Sequence, residues 1–231
     1  MAAESGRFRL DRAGLLARRR ASLVCGRAAK ADIWVSEHDG AAVIVKEYDG
    51  RRAPAAAWGR LQIRREARLL RAAESAEAAP GLVGLIGRDG LVMEHAKGRP
   101  LFEIVEPELR ERAVEELESA VARVHSLGIV HMDLRSRDNV LVTADGAVTL
   151  LDWASAIRLR PGGLLHRVCF PLLRAIDESA VVKWKDLFAP GKLDARDLRF
   201  KRRFLALRVL WPFNRKGLGE VDRRLSGHRT K

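Results

Sequence analysis

The 231-residue sequence predicts an α+β fold built around antiparallel sheet, and three observations carry that prediction. Asp-Gly pairs at 39–40, 89–90 and 145–146 each sit between short β-prone runs, the strongest local signal for tight hairpins because Asp and Gly tolerate positive φ. Two long segments rich in Ala, Leu, Arg and Glu read as helices. Hydrophobic residues make up 47% and charged residues 32%, which is the balance of a globular chain and excludes wholesale disorder.

Taken in order, Ala31–Ser36 and Ala42–Lys46 form the first hairpin over Asp39-Gly40. Trp58 to Glu77 is a helix, free of Pro and of any Gly beyond Gly59. Leu82–Ile86 and Leu91–Met93 form the second hairpin over Asp89-Gly90, and Lys97-Gly-Arg-Pro100 reads as a short linker. A second helix runs from Glu106 to Ser126, opened by Pro107, where a missing amide is tolerated, and closed by Gly128. Val140–Val142 and Val148–Leu151 form the third hairpin over Asp145-Gly146, and helices come after it.

The net charge of +13 is unevenly placed. Residues 1–155 carry 24 Lys and Arg against 23 Asp and Glu, whereas residues 156–231 carry 19 against 7. A basic C-terminal third points to an anionic partner, with a solvated basic face as the plain alternative. Cys25 and Cys169 are the two cysteines, too few and too far apart for a disulfide framework or a metal-ligand spacing. No apolar run of about 18 residues is present, and the N-terminus lacks the pattern of a signal peptide. The expectation is a protein of the reducing cytoplasm, soluble or peripheral at the inner face of the membrane.

The most informative segment is His131-Met-Asp-Leu-Arg-Ser-Arg-Asp-Asn-Val-Leu-Val142, succeeded by a hairpin and then Leu150-Leu-Asp-Trp-Ala154. Asp133 and Asp152 each interrupt an apolar stretch, whereas Asp145 has the place of an ordinary turn former. Phosphoryl transfer spreads negative charge over the reacting oxygens, so hard oxygen ligands must hold a divalent cation while one carboxylate aligns the nucleophile. Two Asp and one Asn at the ends of short strands supply that set. Upstream, Lys46 lies inside the β-branched run Val43-Ile-Val-Lys, where a desolvated ammonium needs a partner. Glu66 is the candidate, since Ile63, Glu66, Leu70 and Ala73 share one stripe of the first helix.

These segments resemble the catalytic loop, the metal-binding Asp-Phe-Gly motif and the third strand of the protein-kinase-like superfamily. The small bacterial lipopolysaccharide kinases acting on Kdo or core heptose, and the RIO-like kinases, are the nearest in layout. The resemblance implies a two-lobed fold, with an antiparallel N-lobe sheet and a reduced, mostly helical C-lobe. It implies ATP and Mg2+ as cofactors, with Asp133 as the base and Asn139 and Asp152 as metal ligands. Arg135 would offset charge on the transferred phosphate, and Lys46, paired with Glu66, would reach the α- and β-phosphates. His125 and His131 would be structural. Six positions separate Asp133 from Asn139 where the kinase pattern has five, so either one residue is inserted or Asp138 takes the Asn role; the insertion is preferred because Asn139 leads directly into Val-Leu-Val. Trp153-Ala154 replaces Phe-Gly, which implies a constitutively ordered site.

The loop Val24-Cys-Gly-Arg-Ala-Ala-Lys30 has one glycine, as in RIO-type and lipopolysaccharide kinases. By that analogy Gly26 lets the backbone approach phosphate and Lys30 adds charge, with an ordinary basic turn as the alternative. Leu91-Val-Met-Glu-His-Ala96 resembles the hinge strand, where Met93 would back the adenine pocket and the backbone of Glu94 and Ala96 would bond the base. The implied division is a basic extension at 1–22, an N-lobe at 23–96, a C-lobe at 97–199 and a basic helix and tail at 200–231. Phe200, Phe204, Leu207 and Trp211 share one helical face, which either packs on the C-lobe or lies against an anionic membrane. The expected function is transfer of phosphate from ATP to a hydroxyl on a lipopolysaccharide-type glycan or lipid-linked sugar. The alternatives are a RIO-like serine/threonine protein kinase, for which the tail would meet nucleic acid or an acidic protein, and a nucleotide-binding pseudokinase scaffold.

Overall fold

The computed structural model describes residues 10–26 and 30–208, the side chains of 203–208 excepted. Strands β1 (Ala21–Val24), β2 (Asp32–His38), β3 (Ala41–Glu47), β4 (Leu82–Ile86) and β5 (Gly90–Glu94) form one antiparallel sheet in the order β1-β2-β3-β5-β4. The alternation of β3 decides what each face carries. Val43, Val45 and Glu47 point to a short helix α1 (Arg12–Ala17), and Lys46 points to helix α2 (Ala55–Ala73).

Residues 10–22, expected as an extension, are built into this lobe. Asp11 caps α1 through the amides of Ala13 and Gly14, Leu15 is buried beside Trp34, and Ser36 Oγ donates to the Leu15 carbonyl at 2.7 Å. Arg12 pairs with Glu47, which also accepts from Trp34 Nε1. Cutting α1 away would therefore expose an apolar face and leave Glu47 without its cation.

Of the three expected hairpins, only the first turns on its Asp-Gly pair alone, with Asp39 at φ 50° and Gly40 at φ 77°. In the second, Gly87 takes the positive φ and Gly90 is already paired in β5 opposite Ile86, so the turn is displaced toward the glycine nearer β4. In the third, Thr143–Ala147 forms a wider loop, because Thr143 bonds both Asp145 and Ala147 across it.

The other lobe centres on α3 (Pro107–Ser126) and α4 (Leu164–Phe188). Strands β6 (Arg99–Pro100), β8 (Val140–Val142) and β9 (Val148–Leu150) make a small antiparallel sheet, and β7 (Ile129–Val130) pairs with β10 (Ile157–Arg158). Arg99 and Pro100, expected as linker, thus belong to the second lobe. Helix α5 (Ala195–Arg208) packs on α4, where Lys185 bonds Asp197 at 3.0 Å and Lys201 bonds Asp186 at 2.7 Å. One apolar core runs from Ile63 and Leu70 of α2 through Leu117 and Val124 of α3 to Trp153 and Trp184. It runs continuously beneath the loops of both lobes. Phe204 and Leu207 of the expected membrane-facing stripe have side chains outside the description, and Trp211 lies outside the described residues.

Candidate active site

Lys46 and Glu66 meet because a strand of period two and a helix of period 3.6 both turn a charged residue inward. Glu66 lies on the buried stripe Ile63, Glu66, Leu70 and Ala73 of α2. Lys46 Nζ stands 3.0 Å from Glu66 Oε1 and 2.9 Å from Oε2, and both side chains are nearly inaccessible at 9% and 2% exposure. Nζ also lies 3.3 Å from Asp152 Oδ1. Burial alone would lower the Lys46 pKa, but the Glu66 and Asp152 carboxylates outweigh it and keep the ammonium charged.

Asp152 leaves β9 in the left-handed region, φ 59° and ψ 72°, a costly conformation for a residue with a side chain and one that clusters at functional sites. The neighbouring indole offsets that cost. Trp153 is buried, donates Nε1 to the Leu150 carbonyl at 2.8 Å and meets the His131 ring edge-on at 5.0 Å. Burial holds the His131 imidazole below its ordinary pKa, so it is neutral and structural.

The loop carrying Asp133 is fixed from beneath by α4. Asp177, fully buried, accepts the His131 amide at 2.7 Å and the Met132 amide at 2.8 Å, and its other neighbour is His125 Nε2 at 3.0 Å. These bonds hold Met132 at φ 73°, the second left-handed residue of the site. Trp184 Nε1 donates to the Leu134 carbonyl at 2.9 Å. Asn139 Nδ2 donates to the Asp133 carbonyl at 2.9 Å and to its Oδ2 at 3.0 Å, whereas Asp138 is exposed. Burial raises the Asp133 pKa against the Asn139 hydrogen bond, and the like charge of Asp152 adds to the rise.

Arg135 is turned the other way. Its Nη1 donates to Ser179 O at 3.1 Å and Oγ at 3.2 Å, and its own carbonyl accepts from Lys183 Nζ at 2.8 Å. The guanidinium expected over the transferred phosphate therefore ties the loop carrying Asp133 to α4. Burial, with Arg135 and Arg137 nearby, pulls the Lys183 pKa down to about 8.

Between β1 and β2, Gly26 donates its amide to Asp32 Oδ1 at 2.8 Å, and Arg51 clamps the segment through Gly26 O at 2.8 Å and Asp32 Oδ2 at 2.9 Å. A Cβ on Gly26 would fall 2.3 Å from the carbonyl oxygens of Lys30 and Ala31, so the glycine is required by the loop's own closure. Lys30 is exposed. Met93 is half-buried opposite Ile44, and Glu94 is tied to Gly81 through both its backbone amide and its carboxylate. The His95 amide bonds the Ala42 carbonyl, leaving Ala96 at the passage between lobes.

Asp177 and Arg51 are absent from the motif-based expectation. Asp177 carried a signal of its own, an acid on the apolar stripe Phe170, Asp177, Ala180, Val181, Trp184. Arg51 carried none, since its role comes from a loop closure.

The RIO domain family matches residues 46–164, from the strand lysine through the loop carrying Asp133 to the start of α4. The chain belongs to this family. The chain is 33% identical over 172 residues to a probable bifunctional tRNA threonylcarbamoyladenosine biosynthesis protein of Methanoculleus marisnigri, covering 71% of this chain and 31% of that protein. It is 35% identical over 85 residues to mouse sperm motility kinase 3A, covering 34% of this chain and 17% of that one. Human serine/threonine-protein kinase MRCK gamma is 30% identical over 114 residues, covering 46% of this chain and 7% of that protein. The chain thus spans less than a third of the length of these relatives.

The fit of a magnesium–nucleotide to this RIO domain is tested by the donor atoms present. Because the Asn139 amide nitrogen is spent on Asp133, its Oδ1 is left to act as a ligand, and the Asp152 side chain is half exposed beside it in the motif. Among the described residues no group of three or more His, Cys, Asp or Glu could hold a metal by itself. Two oxygen donors that leave the remaining positions to phosphate and water suit magnesium, which binds through few protein ligands.

Proposed function

We propose that this RIO-family chain transfers the terminal phosphate of ATP to a hydroxyl group. The observation that supports it most is that Lys46, held by Glu66, reaches across at 3.3 Å to Asp152, which lies in the same lobe as Asp133 and its partner Asn139. Lys46, kept charged by two carboxylates, would bind the nucleotide phosphates. Asn139 occupies Oδ2 of Asp133, leaving Oδ1 to orient the acceptor hydroxyl and take its proton. Asn139 and Asp152 would hold magnesium, which supplies positive charge to offset that building on the phosphate oxygens. The raised pKa of Asp133 brings it toward the operating pH, as a proton acceptor requires.

For the acceptor, the RIO match and the kinase relatives favour a serine or threonine hydroxyl on a protein, and they lend no support to a lipopolysaccharide glycan. A scaffold without catalysis fits less well, because Lys46, Glu66, Asp133, Asn139 and Asp152 are all retained. The relative named for tRNA threonylcarbamoyladenosine biosynthesis, together with the basic C-terminal third, favours an acceptor associated with RNA as a second reading. Labelled ATP and magnesium, incubated with the protein and with ribosomes, cytosolic protein or cell envelope in turn, tests this. Label in the protein or ribosome fraction is expected; label in the envelope glycan would overturn the acceptor class, and label in no fraction would overturn the transfer itself.

A further inference from the structure

The first half of α4 exposes Leu164, Leu165, Val168 and Leu172 at 78, 66, 61 and 73%. At 100° per residue they fall on one stripe about 100° wide, opposite Phe170, which faces the core. Single exposed leucines need no explanation, but four contiguous ones mark a contact surface. The stretch that holds them, residues 153–176, carries four arginines and no Asp or Glu. Among the described residues Arg158, Arg160 and Arg167 join no ion pair, while Arg174 is paired with Glu178.

We propose that this half-helix is a docking surface for an anionic lipid bilayer, lying in the headgroup region with its leucines inserted and its arginines against lipid phosphates. Charge complementarity selects that occupant. A second copy of the chain would bring the same uncompensated arginines face to face, and residues 209–231 carry six Lys and Arg against two acids, so they repel the surface too. An anionic bilayer satisfies both the apolar stripe and the charge at once. No described helix is long and apolar enough to cross a membrane, so the contact is interfacial. Leu172 lies five residues before Asp177, about 7.5 Å along the helix axis. The element that grips the lipid is therefore the one that carries the catalytic loop, which fixes the height of Asp133 above the membrane whatever the acceptor.

The test is flotation of the full chain with vesicles of phosphatidylcholine, with and without phosphatidylglycerol. Binding is expected to the anionic vesicles and to weaken with salt. Leu165→Gln/Leu172→Gln should cut the bound fraction on the order of tenfold or more, and Arg160→Gln/Arg167→Gln should remove most of the salt dependence, both with unchanged ATP affinity. Equal flotation of the leucine variant and the parent would overturn the proposal. So would a dimer in sedimentation that the leucine variant abolishes, which makes the stripe an interface between copies, or stronger binding by a chain ending at residue 208, which makes the tail its cover. Flotation needs no catalysis, so its outcome is separate from that of the transfer assay.

Discussion

Lys46 Nζ lies 3.3 Å from Asp152 Oδ1, joining a strand of one lobe to the turn after β9 in the other across 106 residues of chain. The Asp152 side chain is 49% exposed, so this contact contributes little to the fold and its charge is available to a ligand. Asp152→Asn should abolish turnover and leave Tm within about 2 °C of the parent. Near-normal turnover would remove Asp152 from the metal site.

The Lys46–Glu66 pair behaves differently because both partners are buried. Lys46→Met leaves the buried Glu66 carboxyl without its cation and should cost about 3 kcal/mol in urea unfolding. Adding Glu66→Leu should recover most of that loss while activity stays absent. If the double variant is no more stable than the single, the pair is not coupled as the distances indicate.

For Asp133 the sign comes from its raised pKa. Between the ordinary Asp value and the raised one, the folded protein holds a proton that the unfolded chain has lost, so stability falls as pH rises through that window and stays lower above it. Asp133→Asn removes this loss. Its Tm at neutral pH should rise on the order of 1–3 °C although turnover is lost, and the gain should vanish in acid below the ordinary Asp range. A variant less stable than the parent at pH 7 would reverse the assignment.

Asn139→Ala should damage magnesium-dependent turnover far more than Asp138→Ala, since only Asn139 reaches Asp133. Magnesium titrations of both variants decide it; the opposite ranking would make Asp138 the ligand.

Asp177→Ala strands the buried His131 amide and the part-buried Met132 amide and should cost about 2–4 kcal/mol. Because it acts by holding the catalytic loop, kcat should collapse while nucleotide affinity, measured by equilibrium binding, changes little. A loss of binding equal to the loss of turnover would mean that Asp177 supports the whole cleft.

The residues whose surroundings are local were the legible ones. Lys46 sits in a β-branched run and Glu66 on a helical stripe, so each announces that it points inward, and the α3 helix ends where Pro107 and Gly128 direct. What depended on distant packing was not legible. Asp177 lies 44 positions beyond Asp133 in no motif, and only the folded α4 shows whose amides it accepts. Arg135 carried the right spacing for a phosphate contact, yet Ser179, on the same helix, lies within reach and accepts from one guanidinium nitrogen, Nη1. Turn chemistry misled at Asp89-Gly90 because Gly87, three residues earlier, supplies positive φ closer to the strand end.

Trp153 fills the space beneath the cleft, anchored by its indole hydrogen bond and by the imidazole edge of His131. Swinging it outward would forfeit a fully buried aromatic and open a void the surrounding core could not refill. Small molecules that gain selectivity by wedging under a displaced aromatic should find no foothold here.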